Sequence, residues 1–427
     1  MNQAAPGRNS GAIVIGGDYR GLGVVRSLGR RGIPLCVITD EHKLAGLSRF
    51  VSYRFGWPAT EADQLKFLLE LAAHRGFAGW ALFPTGDEPA ALIARNHACL
   101  EGSFTLTTPS WDTLRWAYDK RLTYRLAAKL GIPCPLIWYP RNREELARLK
   151  CTFPIVLKPA HKHKPSRFTR DKAWRVTDRG EMLARYDEAC RMIESDAIML
   201  QELIPGNDGQ FSFAALCADG NPLALLLAVR LRQHPIDFGH SSSYVESIEH
   251  PDVERLGRSI LAAMRFTGLA EVEFKLDPRD GRLKLLDINP RVWGWHTLGA
   301  RAGVDFPYLA WQLANGLKPD EARGHAGIRW MRAITDLPAA LGQFRAGRLS
   351  LGSYLRSLRR PLEFAIWAAD DPLPSLFEIP ALLRANLTIR RTLLAGSAAP
   401  ASVPRPTGLT VSPARSDSDS KSSEAFS

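Results

Sequence analysis

Three hard oxygen donors lie close together on either side of a predicted turn. Glu273 stands in the run 270–276, and Asp287 and Asn289 stand at the end of the run 283–289. The intervening Pro-Arg-Asp-Gly is typical of a β-hairpin turn, so the two runs are predicted to be paired strands. With a three-residue loop, Glu273 lies opposite Asp287 and shares a face with Asn289. Carboxylate and carboxamide oxygens are ligands that Mg²⁺ prefers, so the hairpin predicts a magnesium site.

Two alternatives for this hairpin stay open. A four-residue loop would break the register and separate the three donors, unless a β-bulge restored the pairing. The same side chains could also form a solvated polar face that binds nothing. The run Asp287-Ile288-Asn289-Pro290-Arg291 at a strand end is unusual for solvation alone, which favours the metal site.

Two lysines are candidates for binding phosphate. Lys158 ends the apolar run Ile155-Val156-Leu157 and precedes a proline, so its ammonium group is predicted at the mouth of a strand, and Lys120 is the second candidate. Each lysine taken alone is more typical of a solvated surface. Between Arg141 and Arg179, however, there are 12 Lys or Arg against four Asp or Glu. Such a concentration of positive charge predicts an anionic partner or a solvated face.

A glycine-rich turn near the N-terminus is a second candidate anion site. The apolar run 12–15 ends at Gly16-Gly17, and a helical pattern follows over about 22–31. A strand, a turn and a helix N-terminus can bind phosphate, although the GxGxxG pattern is not matched. Asp40 ends the second strand, where an acid that binds ribose would stand. A dinucleotide site, an acceptor-substrate site and a tight turn without a ligand all stay open.

Candidates for binding substrate are weaker. Asp87 follows a predicted strand and either points into a crevice or caps the next helix. A second group follows the predicted strand over 223–229 and consists of Arg230, Arg232, His240 and the serines 241 to 243. An arginine of this group could bind a substrate carboxylate, although the polarity of a loop explains these residues equally well.

These side chains need a scaffold, and the sequence predicts two kinds of fold in series. Over about 11–110, strands alternate with helices, which indicates a parallel α/β sheet. After a helical stretch over 111–130 that breaks near Asp119, the chain changes to strands separated by turns from residue 153. This pattern predicts an α+β fold with antiparallel pairs. Residues 321–395 favour helices, whereas 1–10 and 396–427 have very few large apolar residues to bury and are predicted to be disordered.

Length and composition exclude several classes of protein. With 427 residues, 45% of them hydrophobic and 23% charged, the chain is neither wholly disordered nor collagen-like and has room for two or three domains. Its longest apolar stretch, 222–229, is far shorter than the ~20 residues of a membrane helix. The absence of a signal-peptide pattern, and six scattered cysteines without a CxxC pair, predict a cytoplasmic protein with reduced thiols.

Four motifs together resemble the ATP-grasp superfamily, and they occur along the chain in the same order as in that superfamily. They are Tyr118-Asp119-Lys120, Phe153 to Pro159, Leu200 to Gly206, and the hairpin with Val272-Glu273-Phe274 and Asp287 to Arg291. The similarity is greatest to carboxylate-amine ligases, including D-aspartate-ligase-like proteins and carbamoyl-phosphate-synthase-like ATP-grasp proteins, and it covers about 11–320. It implies a Rossmann-like pre-ATP-grasp domain over 11–110. A two-lobed ATP-grasp domain would follow over 111–320, with its small lobe at about 135–203.

The resemblance also implies a role for each site residue. ATP would contact Lys120, Lys158, Lys172, Gln201, Glu202, Leu203, Ile204 and Asp208, with Gln201 to Ile204 as the hinge that binds adenine. Mg²⁺, or Mn²⁺, would be held by Glu273, Asp287 and Asn289. Arg291 would act with Lys158 in catalysis and would stabilise an acyl phosphate and a tetrahedral adduct. Two departures from the family are a phosphate-covering loop over 161–172 without glycine, and Asp287 where glutamate is common.

The implied reaction is phosphorylation of a carboxylate by ATP and attack by an amine, which gives an amide, ADP and phosphate. Its partners would be small carboxylates and amines rather than nucleic acid, and no integral membrane segment is expected. A homodimer is left open. The rival hypotheses are an NAD(P)-dependent oxidoreductase, a catalytically inactive nucleotide-binding protein and a basic protein that binds polyanions.

Overall fold

The computed structural model describes residues 10–40, 42–160, 167–168, 173–206, 209–234, 241–359 and 361–378. These residues lie within one compact unit that reaches Ile379. In these ranges no helix combines the length and the apolar character that crossing a membrane requires. The predicted disorder at 1–9 and 396–427, and the predicted roles of Lys172, Asp208 and His240, lie outside the described residues.

The first sheet has five strands, all parallel, in the order β3-β2-β1-β4-β5. The strands are β1 (Ala12–Ile15), β2 (Leu35–Thr39), β3 (Tyr53–Gly56), β4 (Ala81–Pro84) and β5 (Thr105–Leu106). The helices are α1 (Tyr19–Gly29), α2 (Glu61–His74), α3 (Asp87–Arg95) and α4 (His97–Leu100). All four β1 side chains are buried, because both faces of this sheet are covered by apolar clusters. The predicted N-terminal α/β domain is confirmed.

Close packing surrounds the glycine-rich turn between β1 and α1. Gly16 has φ 122°, which favours glycine, and a Cβ there would overlap the Thr85 hydroxyl. A Cβ on Gly17 would overlap the His42 carbonyl oxygen. Asp18 caps α1 by accepting a hydrogen bond from the Arg20 N–H at 2.9 Å. These contacts explain why glycine stands at both positions, and they leave the three alternatives for this turn open.

We expect Gly17→Ala to lower the free energy of unfolding by about 3 kcal/mol, because the added methyl group meets backbone rather than a flexible side chain. The urea midpoint of the full chain measures the effect. Gly56→Ala is the control, since a Cβ at Gly56 meets no atom within 4 Å. Equal midpoints for the two variants would show that the turn has room for a side chain.

Two helices connect the first sheet to the rest of the chain. They are α5 (Trp111–Tyr118) and α6 (Lys120–Lys129), and the break between them falls at Asp119, as predicted. Asp119 is extended, and its carboxylate accepts a hydrogen bond from the Arg121 N–H at 2.9 Å, which caps α6. The Lys120 N–H donates to the Ala160 carbonyl at 3.1 Å. This bond holds Lys120 beside the strand that carries Lys158.

A four-stranded sheet in the order β6-β9-β7-β8 follows, with antiparallel pairing throughout. Its strands are β6 (Ile137–Trp138), β7 (Ile155–Pro159), β8 (Trp174–Val176) and β9 (Ile198–Glu202), with helices α7 (Arg143–Arg148) and α8 (Arg179–Cys190). Along β7 the side chains alternate. Ile155 and Leu157 pack in an apolar core, so Val156 and Lys158 face the opposite side.

The largest sheet has eight strands, in the order β14-β13-β10-β11-β12-β16-β17, with β15 beside β11. The strands are β10 (Gln210–Ala218), β11 (Asn221–His234), β12 (Ser241–Ile248), β13 (Gly268–Asp277), β14 (Arg282–Asn289), β15 (Ala322–Arg323), β16 (Arg329–Met331) and β17 (Leu362–Phe364). The helices are α9 (Pro251–Ala263), α10 (Thr297–Arg301), α11 (Phe306–Ala314), α12 (Ala333–Arg345) and α13 (Leu351–Ser357). Antiparallel sheets after a parallel one confirm the predicted fold class.

Two predictions about the C-terminal half need correction. The serines 241 to 243 were predicted in a polar loop, but they begin β12, and Ser242 and Ser243 are buried. The helical extension predicted over 321–395 includes three strands, β15 to β17, within its described part. In both places pairing with distant strands outweighs the weak local preference of the segment.

Candidate active site

A cleft of about 1200 Å³ lies between the four-stranded sheet and the eight-stranded sheet. The smaller sheet and its edges line it with Lys150, Val156, Lys158, Arg175, Arg179 and Gln201. The larger sheet lines it with Gln210, Arg230, Glu273, Lys275, Asp287 and Asn289. Basic side chains outnumber acidic ones along these walls, so the cleft suits an anionic ligand.

The predicted pairing of the hairpin is confirmed, and it forms with the four-residue loop and the β-bulge that the sequence left open as an alternative. The loop has four residues, because Asp277 pairs with Arg282. A bulge after Glu273 restores the register, so Glu273 lies opposite Asp287 and Glu271 lies opposite Asn289. The Asp277 side chain stabilises the four-residue loop, because its carboxylate accepts a hydrogen bond from the backbone N–H of Arg279 at 3.0 Å.

Each acidic candidate ligand is paired with a cation. Glu273 accepts hydrogen bonds from Arg230 Nη2 and from Gln210 Nε2, both at 3.1 Å. Asp287 forms an ion pair with Lys120. These partners neutralise two carboxylates that would otherwise repel each other inside the cleft.

The donor set of this hairpin fits Mg²⁺ chemically. Two carboxylates and one carboxamide on the same face of a sheet are hard oxygen ligands, and they leave positions for water and phosphate oxygens. Among the described residues, no three His, Cys, Asp or Glu side chains are grouped as a metal site. The site is therefore suited to a cation that shares its coordination with a ligand rather than to an all-protein cage.

Lys158 is half-buried and lies over Tyr124, with its Nζ atom 5.9 Å from the ring centroid. Burial, together with the positive charge of Lys120, lowers the pKa of Lys158 to about 7. The Tyr124 hydroxyl donates to the Leu286 carbonyl at 2.6 Å and lies 3.2 Å from Gln201 Oε1. Two lysines thus lie near two carboxylates at one end of the cleft.

The segment predicted as the adenine hinge lies along the cleft, with Gln201, Glu202, Leu203 and Ile204 all in its lining. Glu202 Oε2 accepts a hydrogen bond from the Leu136 N–H at 3.1 Å, and Glu202 Oε1 pairs with Arg279 at 2.6 Å. Lys275 Nζ donates to the Ile204 carbonyl at 3.1 Å. These contacts fix the segment to both sheets.

Arg291 links the hairpin to the N-terminal domain. Its Nη2 donates to Asn289 Oδ1 at 3.0 Å, and its Nε donates to Asp87 Oδ1 at 2.6 Å. Asp87 lies in the first turn of α3, whose N-cap is Gly86, and its carboxylate is also directed at Arg291.

Residues 194–335 match the family model described as "ATP-grasp in the biosynthetic pathway with Ter operon". The chain is an ATP-grasp superfamily protein. It is 25% identical over 305 residues to D-aspartate ligase of Enterococcus faecium, with 65% of this chain and 70% of that protein covered.

A second curated relative and one solved structure extend the comparison. The carbamoyl phosphate synthase large chain of Xylella fastidiosa is 23% identical over 261 residues, which span 57% of this chain but only 23% of that protein. The crystal structure of L-amino acid ligase from Bacillus licheniformis has a TM-score of 0.56 at 19% identity and covers 74% of this chain and 75% of its own. This structural similarity shows the fold, and the relatives make this chain an ATP-dependent ligase-like protein.

One buried acidic residue beside Asn289 had no predicted role. Glu271 is buried, and its carboxylate accepts hydrogen bonds from Ser212 Oγ at 3.0 Å, Trp295 Nε1 at 2.8 Å and Asn289 Nδ2 at 3.1 Å. Burial and the neighbouring charge of Glu273 raise the pKa of Glu271 to about 7. In the predicted register, which pairs Glu273 with Asp287, Glu271 falls opposite Asn289. This pairing was the signal by which the sequence could have identified Glu271.

The two arginines predicted to bind substrate have different surroundings. Arg230 lines the cleft, but Arg232 is buried away from the ATP-grasp site and forms a two-bond ion pair with Asp336, at 2.7 and 2.9 Å. The basic segment is also divided. Lys150, Lys158, Arg175 and Arg179 line the cleft, whereas Arg143 pairs with Asp187 outside it. Only part of the positive charge of this segment therefore lies at the cleft.

Proposed function

We propose that this protein activates a carboxylate with Mg-ATP and joins it to an amine. A carboxylate oxygen attacks the γ-phosphorus of ATP, which forms an acyl phosphate and releases ADP. The amine nitrogen then attacks the acyl carbon, phosphate leaves, and the nitrogen loses a proton as the amide forms. The similarity to D-aspartate ligase supports this reaction class.

The observation that carries the proposal is the cleft that Lys158 and the acidic hairpin line together. Lys120 is paired with Asp287 of this hairpin, and Arg291 is bonded to Asn289. Phosphoryl transfer depends mainly on positioning and on stabilisation of charge. Lys158 lies in a desolvated position, where a positive charge acts strongly on phosphate oxygens. The segment over 201–204 offers an apolar wall and backbone groups to the adenine, which supports its role as the hinge.

The hairpin would hold the metal. Glu273, Asp287 and Asn289 would bind Mg²⁺ or Mn²⁺, and the bound cation supplies charge neutralisation for the phosphates. Lys120 and Arg230 already lie beside these carboxylates, so both can turn to phosphate oxygens when the charge of the site changes. Glu271 holds the Asn289 amide by a hydrogen bond at 3.1 Å and limits its rotation.

Arg291 would stabilise the negative charge that develops on the acyl phosphate and on the tetrahedral adduct. Its guanidinium is fixed between Asp87 and Asn289 before any substrate binds. A donor that is already oriented lowers the barrier more than one that must be ordered during the reaction. The contact with Asp87 also brings the N-terminal domain to the place where the second substrate would enter.

The test is release of ADP and phosphate by the full chain with Mg-ATP and pools of amino acids and small carboxylates. Turnover that needs both a carboxylate and an amine supports the ligase. Nucleotide binding without turnover in any pool would support the inactive protein instead. NAD(P) turnover would support the oxidoreductase. Salt-sensitive DNA binding without nucleotide binding would support the polyanion-binding protein.

Within this assay, we expect Arg291→Ala to lower turnover about 10²-fold to 10³-fold while ADP affinity stays within about threefold, because Arg291 acts on the transition state. Arg265→Ala is the matched control, since it also removes a two-bond arginine-aspartate pair, with Asp219, but an exposed one. Unchanged turnover in Arg291→Ala would exclude Arg291 from catalysis.

A further inference from the structure

Strand β11 changes the face of its side chains at Leu231. Arg230 pairs with Val245 on β12, but the next paired residue, Arg232, lies opposite Tyr244. Leu231 is therefore an extra residue in the strand, which is a β-bulge. In a regular strand, residues two apart point to the same side, so the bulge separates two arginines that would otherwise point the same way.

The two arginines consequently have different environments. Arg230 points into the cleft and pairs with Glu273 at 3.1 Å. Arg232 points away from the cleft, and its guanidinium stacks on Tyr244 at 3.8 Å from the ring centroid. If the bulge were lost, Arg230 and Arg232 could not keep both positions.

One residue of the C-terminal part of the chain holds the outward-facing arginine. Asp336, on α12, binds Arg232 through two hydrogen bonds at 2.7 and 2.9 Å. Its side chain has no exposed surface, and that of Arg232 is 5% exposed. Loss of one partner would leave a buried charge uncompensated, so this pair strongly favours the bulged register.

We propose that Asp336 is a positioning residue for the cleft, which keeps Arg230 directed at Glu273 by fixing Arg232 and the bulge between them. The proposal rests on the proposed function for the role of Arg230 beside the phosphates. It gives α12 a task in nucleotide binding, although no residue of that helix lines the cleft.

The experiment measures ADP affinity by calorimetry for the full chain, the variants Asp336→Ala and Arg230→Ala, and the double variant. We expect each single change to weaken ADP binding about tenfold, and the double variant to be no weaker than either single one. Losses that multiply to about a hundredfold would mean that Asp336 acts independently of Arg230, and would overturn the proposal. So would unchanged affinity in Asp336→Ala.

Asp371→Asn is the matched control for general loss of stability. Asp371 is also buried in the C-terminal part of the chain and pairs with a buried arginine, Arg26 on α1, at 2.9 Å. We expect this variant to melt at a lower temperature and to keep wild-type ADP affinity. Asp336→Asn keeps the shape of the side chain and replaces Asp336→Ala if that variant does not fold.

Hydrogen exchange separates this proposal from the proposed function. If the wild-type chain bound no ADP, the proposed function would fail, but the positioning role would still be measurable. Asp336→Asn should then speed exchange over residues 229–234, whereas Asp371→Asn should not. Equal exchange of these residues in both variants would overturn the role assigned to Asp336.

Discussion

Asp287→Ala is expected to lower Mg²⁺-dependent ATP consumption at least about 10³-fold. Two losses combine in this variant. The hairpin loses one of the two carboxylates proposed to bind Mg²⁺, and Lys120 loses its partner in the ion pair. The positive charges of Lys120 and Lys158 would then face each other with less compensation, which disfavours the protonated form of Lys158.

The measurement is ADP release over a range of Mg²⁺ and Mn²⁺ concentrations. Asp280→Ala is the matched control, because Asp280 lies in the turn of the same hairpin and its carboxylate accepts a hydrogen bond from the Arg282 N–H at 3.0 Å. Asp287→Glu keeps the charge and the oxygen ligands and is expected to retain most of the activity. Full turnover in Asp287→Ala would show that the assignment of this hairpin is wrong.

The hairpin also shows how much of the site can be predicted from local sequence patterns. A Pro-Arg-Asp-Gly turn between two alternating runs was enough to predict the pairing of Glu273 with Asp287. Of the two loop lengths left open, the structure has the four-residue loop, which the hydrogen bond between Asp277 and Arg279 stabilises. The pairing survived only because a bulge compensates, and no local pattern identifies a bulge whose cause is the packing of neighbouring strands.

Other features of the site depend on contacts between distant segments. Arg230 and Arg232 are equivalent in the sequence, and only Asp336, more than 100 residues later, distinguishes them. The role of Glu271 likewise depends on Trp295 and Ser212, which come from other elements. Motifs within one strand or turn were therefore predictable, whereas partners that tertiary packing selects were not.

Lys158 gives the second large effect, because its protonation is expected to control nucleotide binding. With a pKa of about 7 in the free protein, the lysine is charged at pH 6 and mostly neutral at pH 8.5. Phosphates favour the charged form and raise this pKa, so ADP binding at pH 8 should take up close to one proton. The affinity should accordingly fall as the pH rises above 7, by at most tenfold per unit.

Calorimetry with ADP in EDTA, in two buffers of different ionisation enthalpy, measures this proton uptake. Lys158→Met should abolish the uptake and weaken ADP binding about 10²-fold at pH 6, where the wild-type lysine is charged. Lys150→Met, another lysine of the cleft, should keep the uptake. A Lys158→Met variant that still takes up a proton would locate the titrating group elsewhere.

Glu271 is the group that most needs to be separated from Lys158, because its pKa is also about 7. Deprotonation of Glu271 adds negative charge to the cleft as the pH rises, so it weakens phosphate binding in the same direction as loss of the lysine proton. Glu271→Gln removes this contribution and retains the hydrogen-bonding shape. If the lysine is responsible, Glu271→Gln keeps most of the proton uptake and Lys158→Met loses it, whereas the reverse pattern assigns the uptake to the carboxylate.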